Sequence, residues 1–353
     1  MDFTFTEDEL ALREAISRFL MTEAAPEVLR EIWQQDSGRS PQLRQAMAEQ
    51  GLTALSIAEE FGGLGMGDLV WSLMSQEMGY YAIPDSMMGT AYIATGIISA
   101  LPDREPRKAQ WLEQIACGEL RVAVSHPANT LVADAKNADL ILHFGDDGLY
   151  ALTADEVELT LNPSIDSSRR LYQLTVKNAE APLLLAKEDA QALAQKAVVQ
   201  GTLANAGQML GLAQRMLDLS IDYVNQRKQF GKLIGSFQAL KHKLADVASK
   251  IEIAKPALYR AAYSMENNHE LAAVHASQAV LLCRPAAMLA AKHGIQAHGA
   301  MGYTWEVDLQ MFMKRCYALQ ASWGTDGYHQ GVVFEHLMAD TVELGPTATF
   351  GEV

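Results

Sequence analysis

The sequence predicts a mainly helical α+β protein. It reads as an N-terminal helical domain over residues 1–119, a short β-domain over 120–187 and a C-terminal helical bundle over 188–353. Apolar residues recur with a helical period through both ends of the chain, whereas the middle breaks into short runs separated by Asp, Gly and Asn. At 353 residues, 49% of them apolar, the chain exceeds one simple core and suffices for two or three packed units.

At the N-terminus, Thr6 and Glu9 stand at capping-box spacing ahead of Leu10, Leu12, Ile16, Phe19 and Leu20, which predicts a first helix. A second helical run covers about 40–50 and ends at Gly51; a glycine-rich turn, IAEEFGGLGMGD, follows at 57–68. The next helix runs into EMGYYAIP and breaks at Pro84, and QWLEQIACGE closes this part at about 119. RVAVSH, DLILHF, GLYALT and LYQLTVKN read as strands of the middle domain. Helical periodicity then returns in long stretches at 188–226, 236–267 and 270–297, the pattern of a bundle. There is no tandem repeat and no low-complexity segment.

Charge and cysteine content exclude several classes of function. A net charge of −15 argues against a nucleic-acid partner, because phosphate binding needs clustered Lys and Arg. No apolar run reaches the length of a membrane span. The acidic start MDFTFTEDEL lacks a signal peptide's basic and apolar regions, so a cytoplasmic protein is expected. Cys117, Cys283 and Cys316 are odd in number and far apart, which fits buried thiols rather than a disulfide framework or zinc site. His293 and His298 lie off a common helical face, and there is no HExxH.

The densest chemical signal is RKQFGKLIGSFQ at 227–238. Arg227 and Lys228 end a long helix, Gly231 permits a reversal, and Gln229 and Gln238 offer amides. These groups could grip a pyrophosphate, with Phe230 beside a flat ring. They also fit an ordinary helix end, with basic residues and a glycine cap. In GIQAHGAMGYT, 294–304, Gln296 precedes small residues Gly299, Ala300 and Gly302 that let a phosphate or adenine approach the backbone. No strand precedes it, so a Rossmann fingerprint is excluded. FGGLG, 61–65, lacks the Lys and Ser/Thr of a P-loop and reads as a turn between helices.

Taken together, Arg-x-x-Phe-Gly, a Gln eleven residues after the Arg, and Gln-x-x-Gly-x-x-Gly-Tyr-Thr in a helical bundle resemble the acyl-CoA dehydrogenase family. GLTALSIAEEFGGLG, EMGYYAIP, WLEQIACGE and GQMLGLAQRMLDLSIDYVNQRKQFGK extend the similarity over most of the chain. The resemblance implies an N-terminal helical domain, a middle β-domain and a C-terminal four-helix bundle. It implies FAD at a subunit interface and an acyl-CoA substrate. In such enzymes a carboxylate removes the α-proton of the thioester while the β-hydrogen leaves as hydride to the flavin. Carried over residue by residue, Arg227, Gln229, Phe230 and Gln238, with Gln296, Gly299, Ala300 and Thr325, match the grip on FAD, mostly on its ADP half. In the family these residues reach a flavin seated mainly in a neighbouring subunit.

The resemblance fails where the chemistry sits. The family's base lies in a Tyr-Glu-Gly-Thr-like turn after the bundle; here that turn is Ser322-Trp323-Gly324-Thr325. Trp323 occupies the base position, and an indole cannot abstract the proton. Some members carry the Glu on the long helix instead, where this chain has Gly201 followed by Thr202. The middle domain is short, with PANTLVADAKNADLIL where a flavin-contacting loop is expected. These departures suggest the subunit lacking the catalytic Glu in heteromeric (α2β2) acyl-CoA dehydrogenases of bacterial steroid or bile-acid side-chain breakdown. A second subunit would carry the Glu and this chain would support its FAD, with Trp323 filling a vestigial pocket. The alternatives are a homo-oligomeric dehydrogenase with a base relocated to Asp326, Glu306 or Asp308, a flavin-free structural or acyl-CoA-binding module, or a flavin reaction needing no Glu.

Overall fold

The computed structural model describes residues 4–84, 86–177 and 183–339. The final residues of the expected bundle, 340–353, and the end of the LYQLTVKN run lie outside the described residues.

Helix α1 spans Glu7–Glu23. Its capping box forms as read: Glu9 N donates to Thr6 Oγ1 at 3.2 Å and Thr6 N donates to Glu9 Oε2 at 2.7 Å. Helix α2, Pro26–Gln34, was not legible, and α3, Pro41–Glu49, is capped by Ser40, whose side chain accepts from Leu43 N. Helix α4 covers Asp68–Tyr80 and is almost wholly buried. A π-helical stretch Met88–Ala94 leads into α5, Thr95–Ser99, and α6 covers Lys108–Ala116. The glycine-rich FGGLG lies in the loop before α4, where Gly62 and Gly65 take left-handed φ values of 81° and 62°.

The middle of the chain forms two sheets. One has the order β1 (Val122–Ser125), β3 (Leu140–Gly145), β4 (Gly148–Leu152) and β7 (Leu183–Ala186), with β1 parallel to β3 and the other pairs antiparallel. The other has the order β2 (Val132–Ala133), β6 (Leu171–Val176) and β5 (Val157–Asn162), all antiparallel. The four runs read as strands correspond to β1, β3, β4 and β6. Ala123, Ile141, Leu152, Val157 and Tyr172 form one buried cluster with neighbouring residues. Arg39 reaches this region with its guanidinium: it pairs with Asp134 and bonds the carbonyls of Gly38 and Ser168, all buried.

The long helices follow: α7 (Lys187–Gln226), a short hairpin of β8 (Lys228–Gln229) and β9 (Lys232–Leu233), α8 (Gln238–Glu266), α9 (Ala272–His298), α10 (Leu309–Leu319) and α11 (Asp326–Leu337). Helices α8 and α9 run through Pro256 and Pro285 without ending. The chain divides into two compact units, one of residues 1–14, 68–80 and 205–353, the other of 15–67 and 81–204. In the first unit α4 packs on α7 backbone to backbone: a Cβ at Gly79 would lie 2.1 Å from the Gln208 carbonyl oxygen, and one at Gly211 would lie 1.9 Å from that of Gln76. Cys283 and Cys316 are buried, and burial pushes both thiols up to about 12. Cys117, the C-cap residue of α6, is exposed, contrary to the expectation of three buried thiols: it stands past the last residue of the helix rather than on its buried face. No described helix is long and apolar enough to cross a membrane.

Candidate functional site

The segment 227–238 is built by one helix end and one reversal. Arg227 N donates to Tyr223 O and closes the last turn of α7; the chain then folds into the β8–β9 hairpin. Its two tip residues, Phe230 and Gly231, have φ of 52° and 79°, the signature of a primed two-residue turn. Phe230 is 90% exposed and meets Phe237 edge to face at 6.2 Å, while Lys232 Nζ sits 4.4 Å above the Phe237 ring. Arg227, Gln229 and Gln238 are exposed, and their side chains make no hydrogen bond or ion pair among the described residues.

The segment 294–304 ends α9. Gly299 breaks the helix with φ 61° and has open space where a Cβ would stand. Gln296, Gly299 and Ala300 are exposed, and Gln296 also has no side-chain partner among the described residues. The two segments share one edge of the same unit. Tyr223 stacks on His298 with ring centroids 4.1 Å apart, and Val224, Ile234 and Ala297 form a small common cluster. His298 Nδ1 donates to Gly294 O at 2.8 Å, which leaves Nε2 as an acceptor; burial holds the ring below the usual histidine pKa.

The turn after α10 is organised chiefly by Arg284 and Asn205, which the sequence reading did not single out. Arg284, on α9 and 1% exposed, donates from Nε to Asn205 Oδ1 (3.0 Å), from Nη1 to Asp326 Oδ1 (2.9 Å) and from Nη2 to Ser322 O (2.8 Å). Asn205 Nδ2 in turn donates to Leu319 O at 2.9 Å. The turn between these anchors puts Trp323 and Gly324 at φ 61° and 105°. Thr325 Oγ1 accepts from Tyr328 N and caps α11, leaving its hydroxyl proton free to donate. Behind the turn, fully buried His329 pairs through Nδ1 with Ser277 Oγ at 3.1 Å; its Nε2 turns toward the Trp323 backbone without making a full hydrogen bond.

Of the carboxylates weighed as a relocated base, Asp326 is engaged by Arg284, Asp308 is the N-cap residue of α10, and Glu306 is exposed. The other position weighed for a base, Gly201, is buried within α7, and the adjacent Thr202 returns its hydroxyl to Val198 O. No group of His, Cys, Asp or Glu able to hold a metal ion occurs among the described residues. One signal for Arg284 was present in the sequence: it is the charged residue inside the apolar run AVLLCRPAAMLAA.

The chain matches the acyl-CoA dehydrogenase N-terminal domain family over residues 6–119 and the C-terminal domain family over 191–338. Acyl-CoA dehydrogenase IpdE2 of Mycolicibacterium smegmatis is 31% identical over 316 residues, covering 88% of this chain and 93% of the relative. The chain belongs to the acyl-CoA dehydrogenase family. Its fold is shared with a chain of the ChsE4-ChsE5 complex from Mycobacterium tuberculosis, with a TM-score of 0.85, 18% identity, and 96% of this chain and 99% of that one covered. It is shared as well with a variant of the Tcur3481-Tcur3483 steroid ACAD, with a TM-score of 0.81, 20% identity, and 94% and 98% covered. Members of this dehydrogenase family typically bind FAD, and the donors on the 227–238 and 294–304 edge suit the ADP half of that cofactor. Among the described residues a guanidinium and three amides have no side-chain partner, beside backbone with room for close approach, as an anionic pyrophosphate and an adenine require.

Proposed function

We propose that this chain is the FAD-supporting, non-catalytic subunit of a heteromeric acyl-CoA dehydrogenase, acting on the CoA thioester of a steroid or bile-acid side chain. The observation that carries the reading is the turn at 322–325. Its residue at the family's base position is Trp323, whose indole N–H can donate and cannot accept a proton. The nearest carboxylate in sequence, Asp326, is held by the buried Arg284 guanidinium.

The chain's own residues supply binding and positioning. Arg227 would hold the pyrophosphate of FAD through its planar fork of donors. Gln229, Gln238 and Gln296 would present amides to the ADP half, and the exposed Phe230 would cover a flat ring. Gly299 and Ala300 leave the backbone open to close approach, and the free hydroxyl proton of Thr325 is a further donor. FAD, when bound, accepts the hydride released in α,β-dehydrogenation. The proton-abstracting carboxylate and the acyl pocket would come from the partner subunit. Relatives of the same fold occur as paired chains, the ChsE4-ChsE5 complex among them, and one such pair is a steroid ACAD. This supports both the partner and the substrate class.

The test is flavin content and native mass of the chain expressed alone and with a partner that carries the Glu. The expected result is little flavin alone, and a mixed oligomer with one FAD per pair of unlike chains. Arg227→Ala should strip flavin from that oligomer without dissociating it. A chain that is yellow alone, with one FAD per chain and dehydrogenase activity, would refute the assignment; unchanged flavin after Arg227→Ala would remove the role given to that residue.

A further inference from the structure

In the unit formed by residues 1–14, 68–80 and 205–353, helices α8, α9 and α10 line an open groove of about 630 Å³. Its apolar lining is Pro285, Met288, Leu289 and Ile295 from α9, with Tyr317 from α10. Lys250 of α8 and Lys292 of α9 complete it. Both lysines are exposed, and neither makes a hydrogen bond or ion pair among the described residues.

The groove continues along the helices in both directions, because residues three, four and seven apart share a helix face. Ile253, 63% exposed, extends the Lys250 face of α8, and Leu282, 41% exposed, extends the Pro285 face of α9. In the other direction the α9 face runs through Lys292 and Ile295 to Gln296, about 16 Å from Pro285 along the helix. Gln296 belongs to the edge assigned to the cofactor. The charge of this strip opposes that of the whole chain. Net charge is −15, yet between residues 227 and 250 Arg227, Lys228, Lys232, Lys241, Lys243 and Lys250 meet a single acid, Asp246. From Pro285 to His298 α9 adds Lys292 and no acid. Lys243 and Lys292 both act on His293, so cations of the two helices gather at the cofactor end of the groove. Exposed apolar side chains in one concave strip edged by charge mark a protein interaction site.

We infer that this strip is the docking surface for the flavin-bearing partner subunit, which would lay into it a segment of apolar side chains flanked by carboxylates. The inference rests on the functional reading above. If Arg227 and Gln296 hold a flavin seated in the partner, the partner's surface has to reach the end of α9, and the groove is the next part of the same face. Carboxylates would meet the unpaired Lys250 and Lys292 and set the register, while burial of Met288 and Leu289 would supply most of the affinity. A second copy of this chain fits less well, because a two-fold contact would set one basic strip against another.

The test is the native mass and dissociation constant of the mixed oligomer formed with the chain that carries the Glu, at low and high salt. The expected result is an oligomer that Lys250→Glu with Lys292→Glu weakens by about tenfold or more, with a smaller dependence on salt than the wild type. Met288→Glu should prevent assembly; because Met288 is half-buried, its fold is checked by circular dichroism, and the exposed lysine pair gives the second, independent arm. Arg227→Ala should lose flavin and still assemble. A wild-type oligomer that all these variants form equally well would overturn this assignment and leave the functional reading standing. Absence of any mixed oligomer with the wild-type chain would overturn both. Self-association of the chain alone that Met288→Glu abolishes would give the strip to a second copy and overturn the assignment to the partner.

Discussion

Replacing Arg284 by Met should loosen the turn that carries Trp323. Met keeps much of the stem volume, so the change in packing is small. What is lost is hydrogen bonding. Asn205 is 1% exposed, and its Oδ1 would have no donor, at about 1–3 kcal/mol for a buried acceptor left unsatisfied. The Ser322 carbonyl loses its donor as well and adds about 1 kcal/mol. Asp326 contributes little, because its side chain is 45% exposed and water can replace the guanidinium. Removing the buried charge also recovers part of its desolvation cost. The balance is a destabilisation of about 2–4 kcal/mol for Arg284→Met and under about 1 kcal/mol for Asp326→Asn. Urea denaturation of the full-length chain gives the global number, and hydrogen exchange of the amides at 319–329 gives the local one, which matters because a chain of two units need not unfold in one step. If Arg284→Met shifts stability by less than about 1 kcal/mol and leaves those amides protected, the guanidinium is not the anchor of the turn. If Asp326→Asn costs as much as Arg284→Met, the ion pair rather than the amide and carbonyl contacts holds it.

Two further outcomes follow from the same unit. Burial holds His275 and His329 at about 4, assisted by Arg260, His269 and His336 around the first and by Arg284 beside the second. Between pH 4 and 6.5 the unfolded chain therefore binds more protons, so their stabilisation is complete above pH 6.5 and is lost as pH falls toward 4, by up to about 3 kcal/mol per histidine. Urea midpoints at pH 7.5, 6 and 5 should fall in that order, and His275→Gln should flatten the trend; a wild-type midpoint constant from pH 7.5 to 5 contradicts it. Gly211→Ala puts a methyl 1.9 Å from the Gln76 carbonyl oxygen, so soluble yield and thermal midpoint should drop sharply; a variant as stable as the wild type would mean that α4 and α7 can move apart at no cost.

The long helices were legible because their signals are local and repeated. The stretches read at 188–226, 236–267 and 270–297 fall within two residues of α7, α8 and α9 at either end. The Thr6–Glu9 capping box reports its own hydrogen bonds. Where signals are short or non-local, the reading failed. Strand β2 has two residues, and β5 exposes much of its length, so neither leaves an apolar run to find. Helix α2 begins at Pro26 after a helix that ends at Glu23, a break too short to separate by periodicity. The hairpin at Lys228–Leu233 was visible as a reversal at Gly231, but its turn needs Phe230 in a left-handed conformation, which no aromatic signals in advance.

The site divides along the same line. Apart from Thr325, the residues assigned to the cofactor stand in two contiguous motifs, so spacing alone could group them, and the Tyr223–His298 stack and the Ala297 cluster bring both groups to one edge. The base position is different in kind. Reading Trp323 where a carboxylate is expected says what is missing, but not what became of the turn. That depends on Asn205, Ser277, Arg284, Asp326 and His329, which are scattered over 125 residues of sequence and meet through side chains. Their arrangement bears on whether the loss is one of architecture or of one side chain. A non-glycine residue at φ 61° is strained, and strain of this kind persists only where the surroundings impose it. Here a buried guanidinium, an asparagine amide and a capping threonine hold both ends of the turn. The backbone at 322–325 is thus held by hydrogen bonds from Arg284 and the Thr325 cap, and under the proposed function the missing base would be a matter of the side chain at 323 alone. This is what a subunit needs if a partner has taken over the chemistry while its helix ends still have to present a fixed edge.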